Sequence, residues 1–317
     1  VSGRADQPIT PLGRYLDPLL IRRLEGLKLR GRTGRLGSGG GGHRGLLRGA
    51  GIEFRQHRFY TRGDDLRHLD WKVLARTGRA HVREYEHETN LRCVLMLDGS
   101  GSMNFGRGDE NKFNYAQRFC AALAYVLLGQ HEAVGLEVIG SRAAMYVAPA
   151  AGQSQLPLII EALDRVTPTG RADIKAAAMV AASRLSRRSM VILVSDFFHD
   201  AASLSTAVAA LRHQRHDVIL ACVRHPDEMS FPLQGWVKLM GLEGEADRFG
   251  RGQDMAATYL RRLAAHDQAV RQLSQRHNCP LWQLDTHGEL GLSLARVLKD
   301  SGRTAVVQPT RGPDARS

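Results

Sequence analysis

Two stretches of the sequence place oxygen-bearing side chains where a cation could bind. Asp98-Gly99-Ser100-Gly101-Ser102 follows the apolar run LRCVLML (91–97), and Ser195-Asp196 closes a second run, SMVILVSD (189–196). The glycines let the chain curl after Asp98, so two hydroxyls two residues apart can face one point. One carboxylate and two hydroxyls, with Asp196 opposite, make a hard-oxygen set suited to Mg2+, or to Mn2+ in its place. A D-x-S-x-S alone reads better as a capped turn. The second strand-end aspartate is what favours the cation.

Other chemistries fit less well. Ser100 lacks the G-x-S-x-G setting of a nucleophile elbow, since Asp98 and Ser102 hold the glycine places. No histidine is placed by a local motif to activate it, and an aspartyl-phosphate enzyme would want a second aspartate where Ser100 stands. A non-catalytic chain is therefore expected, with hydrolysis as the weaker reading. Gly37, Gly39 and Gly42 form a G-x-G-x-x-G, but it follows a basic helical stretch and lies inside the glycine-dense GRTGRLGSGGGGHRG (31–45). A dinucleotide fingerprint must leave a buried strand and open a helix, so this segment reads as a linker.

A third constellation is Arg58, Tyr60, Arg62, Asp64, Asp65, Arg67, Asp70 and Trp71, with both charge signs around two aromatics. It can be a partner-facing patch or an internal salt-bridged clamp, and the clamp is favoured because such networks are costly to break. Asp64 and Asp65 are candidate caps for a helix with Leu66, Leu69, Val73 and Leu74 on its apolar face, closing at Gly78. Arg62-Gly63-Asp64 is accordingly read as a turn with a helix cap, not as an integrin ligand.

The elements needed to position these groups are visible in the hydrophobic pattern. Leu16, Leu19, Leu20, Leu24 and Leu27 predict one amphipathic helix over 15–29. From residue 91 buried strands alternate with helices. Strands are predicted at 91–97, 133–140, 143–149, 189–196, 217–223 and 280–286, with a short one at 236–243. Helices are predicted at 112–129, 154–165, 173–186, 202–214, 254–277 and 289–300. This rhythm implies an α/β fold with a mainly parallel central sheet and helices on both faces.

Composition sets the outer bounds. Of 317 residues 43% are hydrophobic and 24% charged, which excludes a disordered or fibrous chain. No run approaches the roughly 20 apolar residues of a membrane span. The first residues carry no signal-peptide core, and a cytoplasmic protein is expected. Cys93, Cys120, Cys222 and Cys279 are scattered, as reduced core thiols would be. Net charge is +12, and residues 1–90 hold 18 Lys or Arg against 10 Asp or Glu, so eight of the twelve excess charges lie there. A basic face could meet an anionic surface, but nucleic acid is disfavoured because no recognition helix or aromatic-interleaved basic ribbon accompanies it.

With these residues in view a resemblance can be stated. Gly51, Glu53, Phe54, Arg58, Tyr60, Gly63, Asp64, Asp65, Arg67, Asp70, Trp71, Ala75 and Arg76, then Glu84 to Glu88 and Leu97 to Gly106, resemble a bacterial family known as domain of unknown function 58. Asp98, Ser100 and Ser102 resemble the metal-ion-dependent adhesion site of a von Willebrand factor type A domain. The resemblance implies a Rossmann-like type A fold at 91–300, after an N-terminal helix and linker (1–43) and a family-specific segment (44–90), with a mobile tail (301–317). It also implies a protein-binding adaptor that works with a MoxR-type AAA+ ATPase on a client protein, using a metal whose open position captures a carboxylate. In one place the sequence departs from that pattern. The threonine such sites add from a neighbouring loop corresponds here to Ala172, in Gly170-Arg171-Ala172-Asp173-Ile174, with Thr169 and Asp173 as the nearby substitutes.

Overall fold

The computed structural model describes residues 11–29, 52–59, 70–87, 91–140, 145–185 and 188–301. The chain divides into two compact units, Arg32–Asn90 and the combination of Val1–Gly31 with Leu91–Ser317.

The larger unit opens with α1 (Pro11–Tyr15) and α2 (Pro18–Leu24). A single helix was expected over 15–29, but Pro18 resets the chain. Asp17 is extended and its carboxylate accepts from Leu20 N at 2.8 Å, so a new helix starts with proline in its first turn. Tyr15, Leu16, Leu20 and Leu24 are buried, whereas Leu19 is 70% exposed. The Tyr15 hydroxyl donates to Asp164 at 2.6 Å, which ties this segment to the main unit.

The smaller unit pairs β1 (Ile52–Phe59) antiparallel with β2 (His81–His87), and α3 (Trp71–Thr77) lies between them in sequence. Asp70, buried, caps α3 by accepting from Val73 N at 3.2 Å, and its own N–H donates to the His81 carbonyl at 2.8 Å. Trp71 is 64% exposed. Gly78 ends the helix with φ +67°, as expected. Tyr60, Arg62, Asp64, Asp65 and Arg67 lie outside the described residues, as do the proposed caps and the linker glycines.

The remaining elements centre on a six-stranded sheet. They are β3 (Arg92–Asp98), α4 (Lys112–Gly129), β4 (Ala133–Ile139), β5 (Met145–Ala150), α5 (Gln155–Asp164), α6 (Ile174–Arg184), β6 (Met190–Ser195), α7 (Ala201–His213), β7 (Asp217–Arg224), α8 (Pro226–Ser230), β8 (Trp236–Leu239), β9 (Arg248–Arg251), α9 (Gly252–Arg276), β10 (Leu281–Asp285) and α10 (Leu290–Ser301). The sheet order is β10-β7-β6-β3-β4-β5, parallel except for the β4–β5 hairpin at one edge. This is the Rossmann-like order with an antiparallel edge strand, the type A architecture that the sequence resemblance implied. The short strand expected at 236–243 forms as β8, but it pairs only with β9 in a separate hairpin.

Alternation along the strands sorts side chains between two layers. Cys93, Leu95 and Leu97 of β3, with Met190, Ile192 and Val194 of β6, pack in the layer of α4, α5 and α10, which also holds α1 and α2. Val94 and Met96, with Val191 and Leu193, pack in the layer of α6 and α7. All four cysteines are free and buried, two in each layer. Among the described residues no helix is long and apolar enough to cross a membrane.

Candidate metal centre

Asp98 ends β3 at the point where β4 leaves to one side and β6 lies on the other, the crevice in which open α/β sheets bind ligands. Backbone hydrogen bonds fix the loop that follows. Gly99 N donates to the Ile139 carbonyl at 2.7 Å, Gly101 N donates to the Gly170 carbonyl at 2.7 Å, and Thr169 N donates to the Gly99 carbonyl at 3.0 Å. Asp98 Oδ1 accepts from Ser100 N at 2.8 Å, and Ser100 Oγ lies 3.0 Å from Ser102 Oγ. Two adjacent ligands on an octahedral Mg2+ with bonds of about 2.0–2.1 Å stand roughly 2.9 Å apart. The hydroxyl pair therefore has the spacing of one octahedral edge, and its donors are the hard oxygens this ion prefers.

The other Asp98 oxygen is engaged on the α6–α7 side. Ser195 Oγ donates to Asp98 Oδ2 at 2.5 Å, and His199 Nε2 lies 2.9 Å from the same oxygen. Burial pulls the His199 pKa down, but the hydrogen bond and charge of Asp98, with the charges of Asp196 and Glu243, outweigh it and leave the imidazole more basic than usual. Ser195 and His199 both converge on one carboxylate oxygen, so they do not form a serine–histidine relay of the hydrolytic kind. Ala172 is buried in the same layer, and its methyl cannot supply the hydroxyl of the family pattern. Asp173 caps α6 by accepting from Ala176 N at 2.9 Å. Next to these groups a cleft of about 290 Å3 opens between the first turns of α6 and α7, lined by Arg171, Lys175, His199 and Asp200 among others.

Asp196 is placed differently from its neighbour. Strand alternation puts Ser195 on the face of Asp98, and the next side chain turns the other way. The Asp196 carboxylate accepts from Lys112 Nζ at 2.6 Å and from Phe198 N at 3.1 Å, and Lys112 also donates to Glu228 at 2.7 Å. Lys112 and Asp196 are fully buried. Burial opposes the charge on each, but the pairing prevails. The ammonium is held above its ordinary pKa by Asp196 and Glu228, and the Asp196 carboxyl below its own by Lys112. Arg224 completes the network, donating to the Asp196 carbonyl and, at 2.6 Å, to Asp267.

The structure thus brings Asp98, Ser100 and Ser102 together, adds Ser195 and His199, and gives Asp196 to Lys112. Lys112, His199 and Glu228 are not evident from local spacing. The one available signal is Lys112, a cation at the start of a mostly apolar helix. A further group, Glu110, His225 and His287, has its donor atoms within 4.8 Å of one another. His225 Nδ1 already accepts from Asp227 N, so its other ring nitrogen carries the proton and has no lone pair to offer a metal.

The sequence profile of a family described as "Protein of unknown function DUF58" matches residues 56–269. Uncharacterized proteins of Mycobacterium tuberculosis and Mycobacterium bovis are each 29% identical over 297 residues, covering 92% of this chain and 92% of theirs. Among solved structures, BatB from Bacteroides thetaiotaomicron aligns with 68% of this chain and 100% of its own, at 12% identity and a TM-score of 0.43. A von Willebrand factor type A protein from Catenulispora acidiphila aligns with 69% of this chain and 44% of its own, at 15% identity and a TM-score of 0.40.

Proposed function

The chain belongs to the DUF58 family, and from that membership and the Asp98 site we propose that it is a non-catalytic protein-binding module that holds a divalent cation. Asp98, Ser100 and Ser102 would hold Mg2+ (or Mn2+), with water and the groups around Thr169 and Asp173 completing the shell. The ion would supply an open position for an acidic side chain. The partner implied by the family resemblance is a MoxR-type AAA+ ATPase, to which the module presents a client protein. The observation that carries this reading is the Ser100–Ser102 hydroxyl pair, 3.0 Å apart beside the buried Asp98 carboxylate.

A metal-free module is the second reading, favoured by His199 and Ser195 on Asp98 Oδ2 and by the methyl of Ala172. An imidazolium there would balance the carboxylate without an ion. Thermal melting of metal-stripped protein, titrated with Mg2+ and Mn2+ beside Asp98→Ala, separates the two. Saturation at about 100 times the dissociation constant stabilises by roughly 2.7 kcal/mol. A rise of several degrees that disappears in Asp98→Ala supports the cation. The absence of any rise in folded protein supports the metal-free module.

A further inference from the structure

The loop between β8 and β9 closes over the Asp98 turn, and it brings a carboxylate with it. Glu243 Oε1 accepts from Ser102 N at 3.3 Å, so a half-buried acidic side chain of this chain stands at the backbone of the Ser102 turn. The approach is close. A Cβ on Gly101 would lie 2.0 Å from the Leu242 carbonyl oxygen and 3.4 Å from Glu243 Cγ, so only glycine at 101 leaves room for the loop. The loop is also braced from within. A Cβ on Gly241 would lie 2.1 Å from the Glu245 carbonyl oxygen, so the turn is tight. Glu245 accepts from Glu243 N at 3.0 Å through one oxygen and from Arg171 at 3.2 Å through the other. Arg171 immediately precedes Ala172. One short loop therefore spans from the Ser102 turn, which Glu243 meets, to the segment that lacks the expected hydroxyl, which Glu245 meets.

From this juxtaposition we infer that Glu243 is the chain's own carboxylate ligand for the divalent cation of the Asp98–Ser100–Ser102 site. It takes the place that a partner's acidic side chain would otherwise fill. The inference rests on the reading of this site as a metal centre. It explains how the site can tolerate Ala172, because a charged oxygen compensates for a lost neutral one and raises affinity through ligand charge. It also makes the β8–β9 loop a built-in competitor, so that an acidic partner engages only by displacing Glu243. The alternative role is purely structural: a carboxylate that caps Ser102 N and holds the loop closed with no part in metal binding.

Mn2+ serves as the probe, because its bound waters are counted by solvent proton relaxation. Full-length wild type, Asp98→Ala, Glu243→Gln and Glu245→Gln are titrated, and each apo protein is melted to confirm that it is folded. Glu243→Gln keeps the Ser102 hydrogen bond through its amide oxygen, so a merely structural Glu243 leaves the ion untouched. The expected result is an affinity for Mn2+ weakened about tenfold or more in Glu243→Gln. Relaxivity of the bound ion should rise as water replaces the carboxylate, and acetate should bind the Glu243→Gln complex but not the wild-type one. Unchanged affinity and relaxivity in Glu243→Gln, with binding lost in Asp98→Ala, overturn the role of Glu243 and leave the metal site standing. Absence of Mn2+ binding in wild type overturns both together. An equal loss in Glu245→Gln and Glu243→Gln, without a relaxivity change, also overturns it by assigning the effect to loop closure.

Discussion

Lys112 shows how much one side chain can carry. It is fully buried and bonded to two carboxylates, so Lys112→Met leaves Asp196 and Glu228 buried without their cation. Breaking a buried pair from one side costs about 3–5 kcal/mol, and urea unfolding should show that loss. A loss under about 1 kcal/mol would mean that water reaches the site. The pH dependence follows from the directions of the shifts. A carboxyl held below its usual value contributes stability above its unfolded pKa, about 3.9, and loses it as pH falls through the lower folded value. Lys112 is held above its usual value near 10.4, so its contribution is complete below that pH and is lost as pH rises through the folded value. Wild type should therefore keep this contribution from about pH 4 to pH 10. In Lys112→Met, only Phe198 N and Arg224 still oppose the effect of burial on Asp196, and acid unfolding should begin at a higher pH. The sequence showed Asp98, Ser100 and Ser102, because their spacing is local. It did not show Lys112, His199 or Glu243, whose bonds span 84, 101 and 141 residues and leave no local pattern.

At the scale of elements, the legible parts were those whose burial is written as a run. β3, β6 and β7 are apolar on both faces, as central parallel strands must be, and α4 is buried along most of its length. Two of the elements that the hydrophobic pattern does not show have a clear physical reason. The α1–α2 break lies under a continuous leucine pattern, which periodicity reads as one helix although Pro18 starts a second. β9 is Arg248-Phe249-Gly250-Arg251, mostly exposed, so its pairing with β8 has no hydrophobic signature. The seam between the β8–β9 loop and the Asp98 turn yields a prediction of its own. Gly101→Ala forces the Leu242 carbonyl aside, which should cost about 1–3 kcal/mol of stability. Limited proteolysis should then cut faster within 240–245 than in wild type. A variant with unchanged melting and unchanged cleavage would show that the loop is not seated on Gly101.

For the whole molecule, the two-layer architecture allows a test of cooperativity. Charge is unevenly spread, with eight of the twelve excess positive charges in the first 90 residues, and the sheet divides the core of the larger unit into a larger layer with α4, α5 and α10 and a smaller one with α6 and α7. Cys93 and Cys120 lie in one layer, and Cys222 and Cys279 in the other. Burial pushes the Cys93, Cys120 and Cys222 thiols toward the unreactive protonated form, Cys222 up to about 12, and Cys279 is buried as well. Native protein should therefore resist alkylation at every cysteine until the surrounding layer opens. Each face of the sheet thus has its own internal clock, installed by the natural sequence. Mass spectrometry after a timed pulse of alkylating reagent would read both clocks at once. Matching rates for the two pairs would mean that the faces open as one event, and diverging rates would show which face lets go first.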